Sequence, residues 1–264
     1  MEAADRRITA ALSAMELPFF LETLLLPFGC IHGYAGGMVG LPLAWLGACY
    51  AIGAWDTHGM PGFYFYMYTC ATGQVISGSI KILANRRRPG MPGQDRGAAA
   101  EKAQAAGLPH RHWLPGSPAF IAAYPMEELL ASPLVKLGGL QHGVTKGTMG
   151  AESGSFPSGD SMAGGCFAAL LAWYTPLGCW GGIAYACLPM FARVFYWFHW
   201  VGDVLGGALT AFTASQIILW WNGGVEKMAD CTAATFSKAL PCFLLFLLFL
   251  KKVARWLRPP PPTA

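Results

Sequence analysis

From Phe156 to Asn222 the chain is almost wholly apolar, and its only ionisable side chains apart from cysteine and tyrosine are Asp160, Arg193, His199 and Asp203. At membrane depth an ionisable group costs a few kcal/mol on insertion scales, so it persists mainly where it is paired or lines a polar site. His199 and Asp203 are four residues apart and would share a face on a helix. A carboxylate one turn away can accept the imidazole Nδ1 proton. That fixes the tautomer and leaves Nε2 as a lone pair for nucleophilic attack or proton transfer. A helix-capping or structural pair would have the same spacing. Arg193, six residues earlier, does not share that face on one straight helix. It fits the last turn of a preceding helix, with a bend near Tyr196–Phe198.

Two more clusters carry chemistry. Phe156-Pro157-Ser158-Gly159-Asp160-Ser161 directly precedes an apolar stretch. Proline at the entrance and a glycine that permits close approach suit a helix N-terminus, where free N–H groups and the Ser158 hydroxyl make an anion site. A plain N-cap by Ser158 or Asp160 fits the same residues. In Lys81-Ile-Leu-Ala-Asn-Arg-Arg-Arg88-Pro89, Lys81 and Arg88 are seven apart, near two full turns, so both can point one way before Pro89 stops the helix. A point charge and a planar fork together suit a phosphate. Arg86 and Arg87 are expected only to fix topology as a positive flank.

The elements that must position these residues follow from composition. Of 264 residues, 12% are charged and 54% hydrophobic, too little charge to cover a soluble surface. Disorder, a coiled coil and an ordinary cytosolic enzyme are excluded. A net charge of +4 without a longer basic run gives no reason to expect nucleic acid as a partner. The eight cysteines are scattered, with no C-x-x-C, so neither a zinc pattern nor a disulfide framework is expected.

The fold class expected is therefore all-α, a polytopic integral-membrane protein forming a single domain over 1–264. A span needs about 20 mostly apolar residues. The clearest candidates are 33–55, 60–83, 157–177, 179–197 and 201–222, with 8–30 and 231–250 weaker. Six crossings are expected, and seven if the C-terminal segment also crosses. Between about 84 and 156 lies one long connection, a Gly/Pro/charge-rich loop followed by short interfacial helices. The tail 259–264 is proline-rich and extended. With these spans, all three clusters emerge on one side of the bilayer.

In this order and spacing the clusters resemble the signature of the type 2 phosphatidic acid phosphatase superfamily, the lipid phosphate phosphatases: K-x6-R-P, then P-S-G-H, then S-R-x5-H-x3-D. Lys81, Arg88 and Pro89 match the first part. Pro157-Ser158-Gly159 followed by Asp160 stands for the second, and Ala192-Arg193, His199 and Asp203 for the third. The match covers about 60–222. The resemblance implies a six-helix phosphatase core and phosphoryl transfer with no metal and no cofactor. His199 would be the nucleophile that becomes a phosphohistidine, and Asp203 its orienter. Lys81, Arg88, Arg193 and the Ser158-Gly159 backbone would hold the phosphoryl oxygens.

Its partners would be membrane lipid and a phosphorylated lipid substrate, such as phosphatidic acid or an isoprenyl diphosphate. Two positions depart from the pattern. Ala192 replaces a serine, and Asp160 replaces the histidine that gives the leaving group its proton in the family. Asp160 could remain the acid, or Glu152, His142 or His32 could take that part. A leaving group of low pKa, as in a diphosphate, needs the acid least. The alternative is a catalytically silent relative that binds phosphate lipid or acts as a scaffold.

Overall fold

The computed structural model describes residues 2–13, 15, 17–32, 36–84, 86, 155–195 and 198–230. Among them the chain is all-helical, with seven α-helices and no strand. These are α1 (Glu2–Ser13), α2 (Phe19–Cys30), α3 (Leu41–Ala51), α4 (Met60–Ala84), α5 (Gly159–Tyr174), α6 (Gly178–Phe195) and α7 (Val201–Asn222). Single π turns at Gly36–Gly40 and Trp55–Gly59 lead into α3 and α4, and a 3-10 turn at Glu226–Asp230 follows α7. The expected interfacial helices of the long connection, the segment 231–250 and the proline tail lie outside the described residues.

α5 is the central element and packs against α4, α6 and α7. Trp45 of α3, Tyr64, Phe65 and Tyr66 of α4, Met162, Cys166 and Leu170 of α5, and Ala211 and Ile218 of α7 share one buried core. Two of its polar atoms are bonded inward: Tyr66 donates to the Gly37 carbonyl at 2.6 Å and Trp45 Nε1 to that of Gly59 at 3.0 Å. A smaller cluster of Leu25, Ala192, Phe195 and Phe198 joins α2 to the end of α6. Close helix approach depends on small residues. A Cβ on Gly182 of α6 would lie 2.6 Å from the Ala168 carbonyl oxygen of α5, so only glycine permits this crossing.

Among the described residues, α7 is the one helix of 18 or more residues that is long and apolar enough to cross a membrane. Leu205, Leu209 and Phe212, at helical spacing along its outer side, are all more than half exposed, an apolar face turned away from the core. Two expected spans come out differently. The stretch 8–30 is divided between α1 and α2, because the region around Pro18 breaks the helix. The stretch 33–55 holds a π turn and an 11-residue α3, which ends before Gly53 adopts a φ of +70°. α4 stops at Ala84 and Arg86 is no longer helical; Arg88, expected to point the same way as Lys81, lies outside the described residues.

Candidate active site

Four helix ends meet: the C-termini of α4 and α6 and the N-termini of α5 and α7. Lys81 lies in the last turn of α4, and a Cβ added to Gly159 would come 3.7 Å from its Nζ. Ser158 is the N-cap of α5; its Oγ accepts from the Ser161 N–H at 3.3 Å. Its own N–H donates to the Asp203 carbonyl at 2.9 Å, tying the start of α5 to the start of α7. The capping reading of Ser158 therefore holds. Ser158 is buried with its N–H already used, so free N–H donors for an anion would begin at Gly159. The two helix starts meet across Gly207, where a Cβ would lie 2.5 Å from the Ser158 carbonyl oxygen.

Arg193 sits in the last turn of α6, where the spacing places it, and is almost fully buried. Nη2 pairs with Asp160 Oδ2 at 2.8 Å, and Nη1 donates to the Gly29 carbonyl at 2.9 Å. The guanidinium lies 4.1 Å from the centre of the Phe198 ring. Its Nε is buried and has no hydrogen-bond partner. The Asp160 carboxylate thus occupies one arm of a cation that could otherwise face a phosphoryl group.

His199 and Asp203 are buried side by side, with Nδ1 3.5 Å from Oδ2. They do not share a helix face: α7 begins at Val201, and His199 precedes it in a bend of the chain. Proximity comes instead from capping. Asp203 reaches back and accepts from the Trp200 N–H at 3.0 Å, which folds the chain so that the imidazole lies beside the carboxylate. The His199 N–H is turned toward the Arg193 carbonyl at 3.3 Å, joining nucleophile candidate and cation candidate through the backbone.

Two participants are absent from the expected set. Ser155 is fully buried, lies 3.4 Å from His199 Nδ1 through its Oγ, and donates to Asp203 Oδ2 in a short hydrogen bond. It bridges imidazole and carboxylate where their direct contact is long. Arg86, expected only as a topological flank, donates Nη1 to Asp203 Oδ1 at 2.9 Å and Nη2 to Asp5 Oδ2 at 2.6 Å. Its carbonyl accepts from the Ser155 N–H at 2.6 Å, so the two ends of the long connection are tied together at the site. Nothing in the local sequence distinguishes Ser155 from its neighbours, or Arg86 from the two arginines after it.

Of the groups weighed as a substitute proton donor, Glu152 and His142 lie outside the described residues, as do Arg88 and Pro89. His32 is described and buried in the turn after α2. Its Nδ1 faces the Phe28 carbonyl at 3.3 Å and its Nε2 the Tyr185 hydroxyl at 3.0 Å. A carbonyl only accepts, so Nδ1 carries the proton and Nε2 accepts from Tyr185. Burial pushes the imidazole down to about 4, against the opposing pulls of the Phe28 carbonyl and Asp160. His32 is therefore neutral at neutral pH, with both nitrogens engaged.

A cation at a helix end, a second buried cation paired to the first acid of α5, and an imidazole steadied by a carboxylate now stand at one place. A family model described as "PAP2 superfamily" matches residues 62–226, which contain Lys81, Asp160, Arg193, His199 and Asp203. The chain belongs to the PAP2 superfamily. Membership supports phosphatase activity on phosphate esters in general. No curated protein and no solved structure matches the chain. As a PAP2 chain it carries Asp160 at the place where the resemblance expects histidine, and the pairing of that aspartate with Arg193 is the feature of the site that most needs a chemical explanation.

Proposed function

We propose that this PAP2 chain is a multi-pass membrane phosphatase that hydrolyses phosphate or diphosphate lipids through a phosphohistidine on His199, without a metal. The observation that carries this is the gathering of Lys81, Arg193, His199 and Asp203 around the N-terminus of α5, from helices far apart in sequence. The apolar outer face of α7 supports a lipid setting.

In the first step His199 Nε2 attacks phosphorus. The N–P bond forms as the bond to the leaving oxygen breaks, and that oxygen departs with the electron pair. Asp203, with Ser155 between, holds the Nδ1 proton in place and stabilises the positive imidazole that develops. Charge on the equatorial oxygens is met by Lys81, Arg193 and Arg88 and by N–H groups from Gly159 onward. Water then attacks phosphorus, the N–P bond breaks, its electrons return to Nε2, and inorganic phosphate leaves.

With its carboxylate engaged by Arg193, Asp160 as it stands pairs poorly with an alkoxide leaving group, which needs a proton. It suits a leaving group that departs unprotonated, such as the phosphate of a diphosphate lipid. Purified protein in detergent, with no added metal, should release phosphate from an isoprenyl diphosphate faster than from phosphatidic acid, and His199→Ala should abolish both. Release that survives His199→Ala overturns the assignment.

A second reading rests on the same ion pair: with Arg193 already engaged by Asp160, Gly29 and Phe198, the protein could hold a phosphate lipid without turning it over. Activity that appears only in Asp160→His would favour that reading.

A further inference from the structure

The N-terminal helix α1 packs against α6 and α7, and its polar side chains meet the first turn of α7 directly. Val201 and Gly202 open that helix, and their N–H groups have no intrahelical acceptor. Thr9 Oγ1 accepts from the Val201 N–H at 3.1 Å, and Asp5 Oδ1 accepts from the Gly202 N–H at 3.0 Å. Asp5 uses its other oxygen to hold Arg86, whose second arm holds Asp203. Arg6 and Arg86 both lie over the Trp200 ring, at 5.7 and 5.5 Å from its centre. A Cβ on Gly202 would stand 2.8 Å from Asp5 Oδ2 and 3.1 Å from Arg86 Nη1, so the bare glycine is what lets this bridge lie against the helix.

We infer that α1 caps α7 from outside, and that Asp5 and Arg86 are positioning residues which fix the Asp203 carboxylate, and through it the His199 ring, in the attacking orientation. Asp203 has two oxygens with separate tasks. Oδ2 serves Ser155, Trp200 and the imidazole, and Oδ1 is anchored by Arg86. Without the anchor only the contacts at Oδ2 resist rotation about the Cβ–Cγ bond, and the carboxylate holds the ring less firmly. Asp5 in turn keeps the Arg86 fork from swinging outward. The support of the site therefore extends beyond the region the family model matches, to α1.

This inference rests on the phosphatase reading for its kinetic consequences but not for its geometry, and the two are tested separately in the full-length protein. In detergent, trypsin should cut after Arg6 and Arg7 slowly in the wild type and several-fold faster in Arg86→Met and Asp5→Ala; equal rates would overturn the docking of α1, whatever the activity. With an isoprenyl diphosphate, Arg86→Met should lower kcat by about ten- to hundredfold, the range for one charge-assisted hydrogen bond to a reacting unit, with KM changed little. Arg86→Lys, which keeps the charge and loses the fork, should recover only part of the loss.

Gly202→Ala alters no charge and should favour the helix, yet displace the bridge and lower kcat in the same way. Asp5→Ala added to Arg86→Met should cost little more than Arg86→Met alone. A fall in KM-dependent binding with kcat preserved, or fully additive losses, would overturn the positioning role. If the wild type releases no phosphate from any lipid while the trypsin pattern holds, the phosphatase reading fails and the docked cap stands.

Discussion

Replacing Asp160 by asparagine removes a negative charge 2.8 Å from Arg193 while keeping nearly the same shape. Two effects of opposite sign follow. Breaking a buried ion pair by neutralising one partner costs about 3–5 kcal/mol, whereas exposed pairs are worth about 0–1. Here the side chains are 8% and 23% exposed, between those limits, so a loss of about 1–2 kcal/mol in stability is expected. For anion binding the sign reverses. A phosphate that takes the arm of Arg193 now held by Asp160 sits near that carboxylate. Two unit charges ~5 Å apart at an effective dielectric constant of ~20 repel by about 3 kcal/mol.

Solvent at the partly open carboxylate reduces this to about 1–2 kcal/mol, near a tenfold change in affinity. Inorganic phosphate binding to the purified protein, measured by calorimetry at fixed ionic strength, should therefore tighten about tenfold in Asp160→Asn, while the unfolding temperature falls. The stable variant binds the ligand less well, and the less stable one binds it better. Phosphate affinity that is unchanged or weaker in Asp160→Asn would refute the competition between Asp160 and substrate for Arg193.

Three further outcomes are expected. Asp160→His gives a side chain able to carry a proton to the leaving oxygen, so phosphate release from phosphatidic acid should rise relative to an isoprenyl diphosphate; an unchanged ratio of the two rates would count against the leaving-group argument. Ser155→Ala removes the hydroxyl that bridges His199 and Asp203, and kcat should fall by about tenfold with KM little changed, the loss for one hydrogen bond to a charged group. Gly207→Ala places a Cβ 2.5 Å from the Ser158 carbonyl oxygen and should destabilise the protein by about 1–3 kcal/mol in thermal unfolding, because backbone has to move at the junction of α5 and α7.

The parts of the site legible in the sequence are those whose signal is local. An apolar stretch interrupted by Asp160, Arg193, His199 and Asp203 announces polar business, and the alternation of helix ends brings Lys81, Gly159 and Arg193 to one place. Spacing alone misleads where a helix boundary intervenes. His199 and Asp203 are four apart, but the boundary at Val201 falls between them, and a carboxylate reaching back to the Trp200 N–H replaces the shared face. A boundary also intervenes after Lys81, where α4 ends at Ala84 and Arg86, expected only as a flank, turns toward Ser155 and Asp203.

Periodicity is blind to partners that only the tertiary fold supplies. Asp5 and Asp203 are joined by one arginine from a run of three, and nothing within any window of the sequence records which of the three it is. Composition made a helix as long and apolar as α7 legible, but it overstated the continuity of 33–55, where a π turn and a short α3 share what had read as one span.

The covalent intermediate on His199 is the point at which the account is most exposed. Protein mixed with a lipid diphosphate labelled with 32P at its terminal phosphate, quenched within milliseconds and denatured, should carry label that is stable in alkali and released by acid, as expected for phosphorus on an imidazole nitrogen. That label should map to the peptide containing His199 and be missing in His199→Gln, a variant with a side chain of similar size. Turnover with no trapped label, or label that persists in His199→Gln, would contradict it.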